Sequence, residues 1–222
     1  MNKITWIIFT LFSVGIFGLM IYVANQSKID LSGIDVTASQ VGSKDSGNIA
    51  DHVYGNANAK VVLIEYADYQ CAGCADVYPI IKAAVDAYKD DVKLIFRSFP
   101  LTTIHANAKI SPASTEAAGL QGKFWEMHDQ IFGGQSDWST LTGDDRTEYF
   151  VDLAKGLGLD TAKFNEDLGS DAVSQKIAFD QALANKAGVN QTPTLYLNGK
   201  ILDGTTLNDV DSLKKALKEA IK

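Results

Sequence analysis

From Ile4 to Ala24 the chain is uncharged and nearly all apolar, and from Asn25 to Ala50 it turns to Ser, Gly, Asp, Asn and Gln with single aliphatics between them. The first run, at 1.5 Å per helical residue, reaches roughly 30 Å and predicts one transmembrane helix over residues 4–24. The second predicts a flexible tether over 25–50, of roughly 30 Å as a coil, with room for local order from Ile29 to Val36. Val61, Val62, Leu63, Ile64 and Tyr66 concentrate β-branched and aromatic residues as a buried strand does. Val77, Tyr78, Ile81, Ala84, Val85 and Tyr88 then recur at helical spacing, which predicts a helix from Cys71 to Lys89 with a kink at Pro79. Val92 to Phe99 reads as a second strand. Strand, helix and strand in so short a stretch make a βαβ unit with a parallel pair.

Pro100 ends that strand, and the pattern stays helical until Gly188. Helices are predicted over 107–120, 123–132, 145–157, 161–168 and 171–187, with Gly158 and Gly188 as stops and Asp160 as a cap. Strand character returns in Thr194–Leu197 and Lys200–Leu202 around Asn198-Gly199, a strong hairpin signal. Val210, Leu213, Leu217 and Ile221 mark a closing amphipathic helix. The expected architecture is α/β: a sheet domain from residues 51–100 and 189–222, with an all-helical lobe, 101–188, inserted between its halves.

Composition changes this picture little, since 46% hydrophobic and 21% charged residues are ordinary for a globular protein. A net charge of −7 argues against nucleic acid and leaves no basic patch for anionic lipid. The N-terminal run is longer than the apolar part of a signal peptide, and cleavage after Ala24 would place bulky Tyr22 at the −3 position. A retained single-pass anchor is therefore expected in the cell membrane. Lys3 precedes the run and Asp30 and Asp35 accompany Lys28 after it, so residues 25–222 are expected outside the cytoplasm. There a cysteine pair can be kept oxidised.

Cys71 and Cys74 are the only cysteines in the 222 residues, and they stand between the first strand and its helix. Cys74 falls on the helix's apolar stripe. Cys71 falls at the helix N-terminus, where free N–H groups and the dipole stabilise a thiolate. The spacing permits a redox pair, half of a metal site completed by His52, His105 or His128, or a short structural disulfide. The metal reading lacks a second pair at ligand spacing: His105 reads as a capping or lobe-packing residue and His128 as packed or surface-placed. A staple closing so short a loop constrains little of the unfolded chain. Exchange chemistry also needs proton transfer. Glu65 shares a strand face with Val61, Leu63 and Ala67, so it reads either as a desolvated proton relay with raised pKa or as an edge carboxylate touching water.

Strand, Cys-x-x-Cys at a helix start, strand, then Thr192-Pro193 before a hairpin and a terminal helix resembles the thioredoxin fold. The helical insertion, Phe99-Pro100-Leu101, His105, the run Gln121 to Asp129, Gly188-Val189 and Asn198-Gly199-Lys200 resemble the DsbA-like thiol–disulfide oxidoreductases over residues 51–222. The resemblance implies Cys71 as nucleophile, Cys74 as resolving cysteine and Glu65 as the buried acid. It further implies Pro193 as a cis-proline facing the pair, with Thr192 offering backbone groups to an extended substrate. The implied activity is exchange of a Cys71–Cys74 disulfide with reduced or unfolded secreted and surface proteins, most naturally as a dithiol oxidase. A membrane-anchored reductase or isomerase is the alternative. No cofactor beyond the disulfide and no metal is implied; a membrane redox partner and a monomeric state are expected. Between the cysteines stands Ala72-Gly73, neither the Pro-His of strong oxidases nor the Gly-Pro of reducing thioredoxins, which leaves the direction of electron flow open.

Overall fold

The computed structural model describes residues 6, 9, 10, 12–18 and 29–222, in two compact units, Met1–Ser32 and Gly33–Lys222. In the first unit the described residues between Trp6 and Gly18 are helical, and the Thr10 and Ser13 hydroxyls donate to the carbonyls of Trp6 and Phe9 one turn back. Among the described residues no helix is long and apolar enough to cross a membrane; the rest of the predicted 4–24 span lies outside them.

The second unit is built on five strands: β1 (Val53–Gly55), β2 (Val61–Ala67), β3 (Val92–Ser98), β4 (Thr194–Leu197) and β5 (Lys200–Ile201), in the order β1-β3-β2-β4-β5. β2 and β3 are parallel and joined by helix α1 (Ala72–Asp86), which carries Pro79 without a break in its assigned span. β1 and β4 run antiparallel to β3 and β2, and β5 pairs with β4 across Asn198 and Gly199, both at positive φ. β1, three residues at the sheet's edge, is too short to carry a pattern and was not predicted.

Between β3 and β4 run α2 (Ile110–Gly119), α3 (Phe124–Gly133), α4 (Gln135–Trp138), α5 (Gly143–Gly156), α6 (Thr161–Leu168) and α7 (Asp171–Ala187); α8 (Val210–Ile221) closes the chain. The predicted cap and both predicted stops form: Asp160 accepts from the N–H groups of Ala162 and Lys163, and Gly158 and Gly188 adopt φ 74° and 82° after α5 and α7. One sheet face packs Val61, Leu63, Val92, Leu94, Leu195 and Leu197 against Ile81, Ala84 and Val85 of α1 and Leu213 and Leu217 of α8. Beyond its C-terminal end, Cys74, Tyr69 and Phe96 join a lobe core that contains Met127, Ile131, Phe132, Trp138, Phe150 and Phe164. Trp138 is fully buried, with its indole N–H donated to the Ile131 carbonyl at 2.8 Å.

The last inserted helix packs on the lobe helix α2 through Val173 and Ala113 and also reaches the sheet. α7 lies across the other sheet face: Asp180 accepts from the Ser98 N–H at 3.2 Å, and the Tyr196 hydroxyl donates to the Ala187 carbonyl at 2.8 Å. Four charges are buried there. Arg97 and Lys176 both hold Asp51, at 2.8 and 3.1 Å, and Lys176 also pairs with Asp180. Burial opposes the Asp51 charge, yet Lys176 and Arg97 together hold its pKa below the usual range.

This cluster also corrects the tether. Residues 33–50 form an ordered strap, because Arg97 donates to the carbonyls of Val36 and Ala38, both at 2.7 Å, and Gln40 N–H donates to Asp51 at 2.9 Å. Ile49 is buried against Ala113 and Val173. Gly47 passes so close to α7 that a Cβ there would stand 2.2 Å from the Ala172 carbonyl oxygen. The polar composition read as solvated chain because the strap is held by backbone groups, which leave no side-chain pattern.

Candidate active site

β2 runs into α1 through the turn 68–71, and that turn places the two thiols. Cys71 occupies the N-cap position of α1, and its carbonyl already accepts from the N–H groups of Cys74 and Ala75 at 3.1 and 3.2 Å. Cys74, one turn on, is fully buried under the lobe; Cys71 stays partly exposed, and both are free thiols. The Cys71 Sγ lies 3.7 Å from the Thr192 carbonyl oxygen, across from α1. The Thr192-Pro193 bond is cis, and a Cβ added to Gly73 would meet Pro193 Cδ at 3.6 Å, so the 192–193 segment packs directly on the Cys-x-x-Cys turn.

These surroundings divide the thiols. A hydrogen bond from Cys74, then contacts from Thr192 and the Cys74 and Gly73 N–H groups, pull the Cys71 thiol down to about 5 against the cost of partial burial. The same Cys71 bond, with burial and the negative charge of Cys71 and Glu65, pushes Cys74 far up. Glu65 is only 2% exposed, in the middle of β2 opposite Phe96 and Leu195, which settles the choice between buried and edge carboxylate. Its Oε1 has no hydrogen-bond partner, and burial raises its pKa to about 8.

The residues that hold the turn were not foreseen. Asp68 accepts from the N–H groups of Gln70 and Leu101, at 2.8 and 2.7 Å, and pairs with His105 Nδ1 at 2.9 Å. Gln70 bridges to Ser139 and Asn107, and Gln135 donates to the carbonyls of Tyr69 and Cys71 at 2.7 and 3.0 Å. Asp before a helix start is a turn-forming residue, which was the one signal available; the partners come from the insertion.

Each histidine has a separate environment. His52 stacks on Phe124 at 3.8 Å and pairs with Glu116, while His105 joins Asp68 and so does more than cap or fill the lobe. His128 is buried among Tyr69, Tyr78, Phe96, Trp125 and Phe132, with ring centroids 4.9–5.6 Å away, and burial lowers its pKa. Among the described residues no three His, Cys, Asp or Glu side chains gather as a metal site.

A thioredoxin family model matches residues 47–219. A thioredoxin-like oxidoreductase from Silicibacter pomeroyi superposes with a TM-score of 0.63 at 26% identity, over 80% of this chain and 97% of that one. The thiol-disulfide exchange protein alpha-DsbA2 from Wolbachia pipientis shares the fold, with a TM-score of 0.65 at 24% identity over 76% of this chain and 86% of that one. A Na(+)/H(+) antiporter, NhaA 1 of Salinispora arenicola, is 32% identical over 170 residues, which are 77% of this chain and 24% of the antiporter. The chain thus spans about a quarter of the length of such curated relatives. With the family model matched across sheet, lobe and terminal helix, this chain belongs to the thioredoxin family.

Proposed function

We propose that the chain is an extracytoplasmic thiol–disulfide oxidoreductase that passes a Cys71–Cys74 disulfide to cysteines of reduced secreted or surface proteins. The observation that carries this is the split between the thiols: Cys71 accessible with a pKa near 5, Cys74 buried and pushed up. In the oxidised protein a substrate thiolate attacks Cys71 Sγ, and the Cys71–Cys74 bond breaks. Cys74 leaves as a thiolate and takes a proton. Glu65, neutral at pH 7 with its pKa near 8 and coupled to Cys74 through charge, is the group suited to supply it. A second substrate thiolate attacks the substrate sulfur of the mixed disulfide and expels Cys71, a good leaving group because of its low pKa. The substrate dithiol becomes a disulfide, and the protein is left reduced.

A stabilised Cys71 thiolate favours the reduced form, which makes the disulfide an oxidant and supports the oxidase direction over reductase or isomerase. Thr192 and Pro193, lying against the thiol, are suited to receive an extended substrate backbone. The apolar run with exposed Trp6, Phe9, Phe12, Val14 and Phe17 supports a membrane anchor, single-pass, with the domain outside. A membrane redox partner would then reoxidise a monomeric enzyme, with no cofactor beyond its own disulfide. Oxidised full-length chain in detergent, mixed with a reduced, unfolded protein, should transfer its disulfide in a Cys71-dependent way. A potential at or below about −270 mV, as in reducing thioredoxins, or undiminished transfer by Cys71→Ser, overturns the assignment.

A further inference from the structure

We propose that Asp68 is a positioning residue for both thiols, held in that role by Leu101 and His105; this rests on the exchange reading above. Asp68 ends the passage out of β2 and is 2% exposed. Its backbone lies between the two cysteines. The Asp68 carbonyl accepts from the Cys71 N–H at 3.0 Å, and the Asp68 backbone favours the charged form of Cys74, a small pull against the larger effects that push its pKa up. Its carboxylate faces the other way. Oδ1 takes the Gln70 N–H within the turn, and Oδ2 takes the Leu101 N–H and His105 Nδ1 from the segment that begins the insertion.

A buried carboxylate persists only where donors compensate its lost hydration, and here three converge on it. The result is a short rigid link from the insertion to the turn. The Cys71 sulfur gains from the Cys74 and Gly73 N–H groups and from Thr192 only while the turn keeps its place. The Asp68 backbone, fixed by the same link, favours the Cys74 thiolate that leaves during exchange. Asp68 touches no substrate in this scheme. It sets the properties of the sulfurs through its main chain, and His105 acts one step further out.

Three variants of the full-length chain test this: Asp68→Ala, His105→Ala and His105→Gln, whose amide can still donate to Asp68. The readouts are the Cys71 thiolate titration by ultraviolet absorbance and the rate at which Cys74 resolves a mixed disulfide between Cys71 and glutathione. Asp68→Ala and His105→Ala should raise the titration midpoint by about one pH unit, about tenfold less thiolate per thiol at a given pH, and slow resolution about tenfold. His105→Gln should recover most of both. Removing a nearby carboxylate lowers a thiol pKa through charge alone, so a rise in Asp68→Ala reports lost positioning. An unchanged or lowered midpoint with wild-type resolution, accompanied only by a lower Tm, overturns the proposal. Should Asp68→Ala fail to fold, the contrast between His105→Ala and His105→Gln decides. Failure of the exchange reading looks different: wild-type protein then leaves a reduced dithiol peptide unoxidised, while the thiolate titration still judges the role of Asp68.

Discussion

Replacing Glu65 by glutamine keeps the side-chain volume inside the sheet and removes its ionisation. In the folded protein burial moves this carboxyl from 4.5 to about 8, whereas the unfolded chain titrates it near the ordinary value. Between those two pH values the folded state holds a proton that the unfolded state has released, so stability falls as pH rises through the window. Each pH unit of the window is worth about 1.4 kcal/mol for one proton, which makes the whole effect up to ~5 kcal/mol, with ~3 kcal/mol lost by pH 7. Glu65→Gln has no such proton. Its stability relative to wild type should therefore grow from near zero at about pH 4.5 to a gain of ~3 kcal/mol at pH 7. Urea unfolding must be followed on the oxidised protein. In the reduced form the Cys71 thiol, depressed to about 5, adds stability as pH rises with the opposite slope and cancels the wild-type fall between about pH 5 and pH 8. Parallel stability curves for wild type and Glu65→Gln between about pH 5 and pH 8 would falsify the buried-acid argument. The same variant should release Cys74 more slowly, since the neutral carboxyl that supplies its proton is gone.

Two further substitutions address the far face of the sheet. Arg97→Met removes the guanidinium that holds Asp51, Tyr66 and the Val36 and Ala38 carbonyls, leaving Asp51 to Lys176 and Gln40. Breaking one side of a buried pair costs about 3–5 kcal/mol, and a loss below about 1 kcal/mol in urea unfolding would show the cluster to be dispensable. Gly47→Ala places a methyl group 2.2 Å from the Ala172 carbonyl at a position with φ 61°, so the strap must lift from α7. A loss of about 1–3 kcal/mol and new protease cleavage within 33–50 are expected, and an unaltered digestion pattern would refute the ordered strap.

The sequence by itself determined what period and local chemistry encode. The βαβ unit, the hairpin at Asn198-Gly199 and the closing helix follow from runs whose spacing matches a strand or a helix. The division of labour between Cys71 and Cys74 follows from the first turn of α1, where one residue caps and the other faces inward. Tertiary structure decided whatever depends on groups distant in the chain. Glu65 became a buried acid only when Phe96, Leu195 and α1 closed around it. Residues 33–50 became a strap because Arg97 needed carbonyls, and carbonyls carry no side-chain pattern. α7 reaches across the sheet because Asp180 and Lys176 meet partners on β3 and beside β1, a long-range pairing invisible to local periodicity. Asp68 and His105 stand 37 positions apart, and only folding the insertion back over the Cys71 turn brought them into contact.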